Sequence, residues 1–129
     1  MIAVDTNVLA RLIVGDDPAQ AKRATALFRH EEVFIPKTVL LELEWVLRGA
    51  YRIERPLILR ALLGILGLPN VTAEDGARVA SALRDYEAGL DFADALHIAS
   101  SIEASRFVTF DEKLRKRAKS LKGMETGAP

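Results

Sequence analysis

The chain of 129 residues has no cysteine. A disulfide framework and a thiolate metal centre are therefore both excluded, which suits a reducing cytoplasm. Histidine is nearly as scarce, at 2 residues. Charge of one sign is lacking too: 18 basic and 18 acidic side chains cancel, and net charge gives no nucleic-acid signal. No apolar run is long enough to span a bilayer, since the longest, LILRALLGILGL (57–68), is short and interrupted by Arg60. The opening residues, MIAVDTN, have neither the basic stretch nor the apolar core of a signal peptide. A soluble, cytoplasmic protein is the expectation. Phosphate-binding and dinucleotide glycine fingerprints, internal repeats and low-complexity linkers are also missing. What remains is globular, with 50% hydrophobic and 28% charged residues. The length suits a single domain over 1–129, able to bury about two-thirds of its unfolded surface.

Strand and helix signals alternate. Ile2 to Val4 is a short apolar run that stops at Asp5, and Val33 to Ile35 is a second one that stops at Pro36. Asp16-Asp17-Pro18 opens a helix carrying Ala21, Ala24, Leu27 and Phe28 and ending at His30, whose charge would suit the helix dipole. TVLLELEWVLRGAY is amphipathic, and the 54–68 segment is a helix closed by Gly67-Leu68-Pro69. Val71 marks a short extended piece, and Glu74 to Glu87 reads as a helix with Ala77, Val79, Ala80, Leu83 and Tyr86 on its apolar side. After GLDFADALHIAS, Phe107 to Phe110 reads as a strand ending at Asp111, followed by the basic helix EKLRKRAKSLK. Residues 124–129 are a short last strand or a frayed tail. This alternation predicts a three-layer α/β/α domain with a mainly parallel central sheet.

In open sheets of that kind ligands bind beyond the carboxyl ends of the strands, which singles out Asp5 and Asp111. Each also has the form of a helix N-cap, and the two roles are compatible because one oxygen can cap while the other faces a ligand. On the LLELEWVL helix, Val39, Leu43, Val46 and Leu47 define one apolar face, which places Glu42 at the rim of the core and Glu44 on the solvated side, paired with Arg48. Glu42 is either a boundary charge or a ligand. Trp45 and the Leu and Ile positions are core or interface.

Asp91 and Asp94 lie about 60° apart on one helix, in the arc of Ala95, Ile98 and Ile102. Asp91 is either the N-cap of that helix or part of a site; Asp94, one turn inside, is harder to explain as a cap. A carboxylate is costly to bury unless it is paired or binds a cation. Four or five such groups meeting at one sheet edge need a counter-cation, and an all-oxygen set selects Mg²⁺ or Mn²⁺. Those ions serve phosphoryl chemistry, so a phosphodiester is the natural substrate.

Four pieces, VDTNVLARL, LLELEWVL, DFADALHIA and VTFD, with DDPAQA between the first two helices, span almost the whole chain. Together they resemble the PIN-domain ribonucleases, and more narrowly the VapC-type toxins of toxin–antitoxin pairs. The resemblance implies a Mg²⁺- or Mn²⁺-dependent endoribonuclease with one or two ions, leaving a 5′-phosphate. It implies Asp5, Glu42, Asp94 and Asp111 as the acidic site, Thr6 and Asn7 as polar residues orienting the first acid or the water, and Asp91 as a secondary candidate. It also implies a cognate antitoxin lying over the site and a homodimer.

RNA needs positive charge. Lys113, Arg115, Lys116, Arg117, Lys119 and Lys122 crowd the last helix and Arg11 follows the first acid; all are candidate phosphate contacts or solvated surface groups. His97, one turn from Asp94, reads as a structural partner rather than a base. Ser100 and Ser101 lie on the same helix as His97 and make no hydrolase triad. An aspartyl phosphatase would carry an acid where Asn7 stands, and a receiver domain would carry a lysine after its late strand, where Asp111 stands. The remaining rival is a catalytically silent PIN-like binding module regulated by a partner.

Overall fold

A computed structural model describes the whole chain, Met1 to Pro129. Its elements run β1 (Ile2–Ala3), α1 (Thr6–Val14), α2 (Pro18–His30), β2 (Val33–Ile35), α3 (Lys37–Gly49), α4 (Arg55–Leu66) and β3 (Val71–Ala73). They continue with α5 (Gly76–Glu87), α6 (Phe92–Ala99), β4 (Phe107–Val108), α7 (Glu112–Lys122) and β5 (Thr126–Gly127). The residues form two compact units, Met1–Gly76 and Ala77–Pro129. No helix is long and apolar enough to cross a membrane.

In the first unit β1, β2 and β3 form a parallel sheet in that order, with Ile2 opposite Val33 and Phe34 opposite Thr72. Val33 and Ile35 point into the core, where they join Leu9, Leu40, Leu43 and Leu47 from α1 and α3 and Ile58 and Leu62 from α4. Helix α2 begins as the sequence predicts, with Asp17 accepting from the Gln20 N–H at 3.1 Å and Pro18 in the first turn. Helix α3 has no such device, because its N-cap is Pro36. Glu74, just past β3, supplies one from a distance: its Oε1 accepts the Lys37 N–H at 2.9 Å. The adjacent Asp75 pairs with Lys37 Nζ at 2.7 Å and holds a left-handed φ of 49°. Asn70 fastens the start of β3 by donating from Nδ2 to the carbonyls of Phe28 and Glu31.

In the second unit β4 and β5 pair in parallel, Phe107 opposite Thr126, with Thr126–Gly127 as a two-residue strand near the end of the chain. Tyr86 and Phe92 meet edge-to-face with ring centroids 5.3 Å apart, locking α5 to α6. Arg117 reaches from α7 to the Ala88 carbonyl at 2.8 Å, passing close to Gly89 at φ 105°. A Cβ at Gly89 would stand 3.3 Å from that flexible guanidinium, which would have to shift slightly, so it is the dihedral that calls for glycine.

The parallel α/β class read from the sequence is that of the structure, with differences in detail. The strands pair as a set of three and a set of two. Helix α5 starts at Gly76, and its Ala77 and Ala80 are exposed while Ala82 is buried. Strand β4 ends at Val108, leaving Phe110 exposed, and Ile102 lies beyond the end of α6 in solvent.

Candidate active site

The first unit holds Asp5, Thr6, Asn7 and Glu42. Asp5 follows β1 with extended backbone and caps α1, its Oδ1 accepting the Val8 N–H at 3.2 Å. That leaves Oδ2 without a protein donor. Thr6 is buried, and its hydroxyl donates to Glu42 Oε1, tying the exposed carboxylate of α3 to the start of α1. Asn7 lines a cavity of about 390 Å³ with Val8, Arg11, Gln20, Arg23, Ala24 and Leu27.

The two glutamates of α3 exchange the surroundings expected of them. Leu40, Leu43 and Leu47 form the buried stripe, and Glu44 falls on it at 2% exposure while Glu42 is exposed. Glu44 is paired with Arg48 as predicted, through Nε at 2.9 Å and Nη2 at 3.3 Å, and this neutralisation is what allows its burial.

Arg11 is occupied by its own fold. It donates to Gln20 at 2.7 Å, to Asp16 at 2.9 and 3.1 Å and to the Tyr51 hydroxyl at 2.9 Å, and Tyr51 in turn donates to Asp16. Asp16 is pushed up by its surroundings, but hydrogen bonds from Tyr51 and Arg11 and the charge of Arg11 outweigh this and hold it below the ordinary carboxylate value. Its contribution to stability is therefore present above its unfolded pKa and is lost as pH falls through the depressed folded one. Arg11→Ala should lower the urea midpoint at neutral pH, and that deficit should shrink in strong acid. An equal deficit at every pH would dissociate Arg11 from Asp16.

The second unit holds Asp91, Asp94 and Asp111. Asp91 is the N-cap of α6, its Oδ2 accepting the Asp94 N–H at 3.2 Å. Asp94 is half-buried in the first turn. Burial pushes its carboxyl above the ordinary value, the charges of Asp91 and Asp111 add to this, and His97 opposes it. Asp111 caps α7, Oδ1 accepting from the Leu114 N–H at 3.0 Å, and its own N–H donates to Thr109 Oγ1 at 3.1 Å. A hydroxyl two residues before an acid is a recognisable local turn signal, and Thr109 is such a residue.

Most of the basic residues of α7 have structural partners. Arg115 donates to the Thr109 carbonyl at 2.8 Å and Arg117 to Ala88, while Lys122 reaches Ser81 and Asp85. Lys116 makes only an exposed i,i+4 pair with Glu112 at 3.3 Å, the kind that contributes least and exchanges most readily. Lys113 and Lys119 stand in solvent.

Within neither unit do three or more acidic or histidine side chains converge as a ready cation cage. The donor chemistry nevertheless suits a hard cation. Asp5 and Asp111 each spend one oxygen on a helix and keep the other, and Asp94 is a half-buried carboxyl raised by burial and by the charges of Asp91 and Asp111. No curated protein and no solved structure matches the chain. The family model for the PIN domain matches residues 2–120, and so covers every acid discussed above. The chain belongs to the PIN-domain family, a nuclease fold.

Proposed function

We propose that the protein is a metal-dependent endoribonuclease and the toxin of a type II toxin–antitoxin pair, cytoplasmic and dimeric, with a cognate antitoxin as its inhibitor. The observation that supports the nuclease reading is the match to the PIN domain over residues 2–120, a range that includes the half-buried Asp94, whose carboxyl is raised first by burial and then by the charges of Asp91 and Asp111. Asp5, Glu42, Asp94 and Asp111 would hold one or two Mg²⁺ or Mn²⁺ ions, which when bound supply Lewis-acid activation of water and stabilise charge on the phosphate. The chain's own part is positioning. The caps at Asp5 and Asp111 fix each carboxylate by one oxygen, and Thr6 fixes the carboxylate of Glu42. Asn7 offers an amide beside the first acid, and Lys113, Lys116 and Lys119 are α7 lysines exposed to solvent, where they would meet phosphates.

The decisive experiment is cleavage of single-stranded and structured RNA with Mg²⁺ or Mn²⁺, with and without EDTA. A silent binding module would cut under none of these conditions. Growth arrest on expression, relieved by co-expressing the neighbouring gene, tests the toxin role separately. Thr6→Val keeps the shape of the buried side chain but removes its hydroxyl, and should slow cleavage about tenfold by loosening a supporting contact. Thr6→Ser should retain most of the rate. Equal rates in wild type and Thr6→Val would remove Thr6 from the site.

A further inference from the structure

Trp45 is the only tryptophan of the chain, and it stands 63% exposed on α3 rather than in the core. It follows Glu42 by three residues on the same helix, which makes the two side chains surface neighbours, their Cβ atoms about 5–6 Å apart. Glu42 is itself fixed by Thr6. The other positions three or four residues from Trp45 are Leu41, Arg48 and Gly49. Leu41 is half-buried, Arg48 is turned to Glu44, and Gly49 has no side chain. Along α3 the indole is thus flanked by a half-buried leucine, a paired arginine and a glycine, with no second aromatic ring beside it. A single nucleobase needs only one aromatic plate, and this one stands beside the carboxylate of Glu42.

We infer that Trp45 is a base-stacking residue that receives an unpaired nucleobase next to the phosphodiester served by Glu42. The inference rests on the ribonuclease reading above and adds to it a substrate preference. Every base has a π face, so stacking on an indole holds a strand in place without reading its sequence, and it requires a base freed from a helix. Unpaired segments therefore bind at this surface, and continuous duplex does not.

The lone tryptophan reports on itself. Asp94→Asn protein in Mg²⁺ is titrated with labelled single-stranded oligoadenylate, following tryptophan emission and the anisotropy of the label together. Saturable quenching with the same midpoint as the anisotropy change is expected, and a blunt duplex should not quench. In the otherwise wild-type chain, Trp45→Ala should raise KM for single-stranded RNA about tenfold while kcat stays within about twofold. Trp45→Phe should keep most of the affinity. RNA binding without quenching, together with an unchanged KM in Trp45→Ala, overturns this inference and leaves the nuclease reading intact. A changed sedimentation state in Trp45→Ala with an unchanged KM also overturns it, and assigns the plate to a second copy of the chain. Failure to bind or cut any RNA removes both readings.

Discussion

Replacing Asp94 with asparagine should slow RNA cleavage roughly a thousandfold, equivalent to about 4 kcal/mol of lost transition-state stabilisation, without weakening the metal-free fold. Both effects have one origin. Burial is the main reason the Asp94 carboxyl sits above its ordinary value, and the charges of Asp91 and Asp111 reinforce it against the opposing influence of His97. A folded value above the unfolded one means that folding favours the protonated form. The associated stability is complete below the unfolded pKa and disappears as pH rises through the folded one. At neutral pH the wild type carries that penalty, and asparagine, of nearly the same size, does not. In EDTA the melting temperature of the variant relative to wild type should rise as pH is taken from about 4 to about 7. Mg²⁺ should then raise the melting temperature of the wild type and leave the variant where it is. Cleavage near the wild-type rate, or a variant that melts lower than wild type in EDTA at neutral pH, would count against Asp94 as a cation ligand.

The largest change in stability is expected at the other end of the second unit. Asp85 is only 5% exposed, and its Oδ2 accepts no hydrogen bond; charge compensation comes from Lys122 Nζ at 3.1 Å, which also donates to Ser81. Lys122→Met leaves a buried carboxylate without its counter-charge. The cost should be about 3 kcal/mol, because the desolvation penalty of Asp85 remains when its partner is gone. For a domain of this size that lowers the melting temperature by about 10 °C. The double variant Asp85→Leu/Lys122→Met should recover most of the loss, since removing both charges also removes the penalty. Urea denaturation of the two single variants and the double variant gives the coupling directly. A Lys122→Met protein within about 1 kcal/mol of wild type would show that the pair contributes little.

What could be read in the sequence was what is local. Asp17, Asp91 and Asp111 announce helix starts within three residues of themselves, and each accepts the N–H three positions on. Strand β2 reads directly from Val33-Phe34-Ile35. The glutamates of α3 were harder, because apolar residues cover so wide an arc of that helix that two different stripes fit the pattern. The structure buries the stripe containing Glu44, and Arg48 makes that tolerable. Long-range partnerships left no local trace. Nothing near Lys122 points to Asp85, nothing near Lys37 points to Glu74, and nothing near Arg117 points to the Ala88 carbonyl. For this reason α7, which reads as a helix of phosphate contacts or solvated groups, ties Arg115, Arg117 and Lys122 into the fold.

The capping roles of Asp5, Asp91 and Asp111 decide how substitutions at these proposed site positions must be interpreted. Each acid is also the punctuation mark of a helix, so alanine deletes a charge and a helix start together. Lost activity in an alanine variant would then report misplacement of a whole segment as readily as loss of a functional group. Asparagine separates the two, because its amide oxygen still accepts the same N–H while the negative charge is gone. At Asp94, which accepts no such bond, alanine and asparagine should fail alike. The difference between the two replacements therefore sorts the acids by role without any knowledge of the substrate.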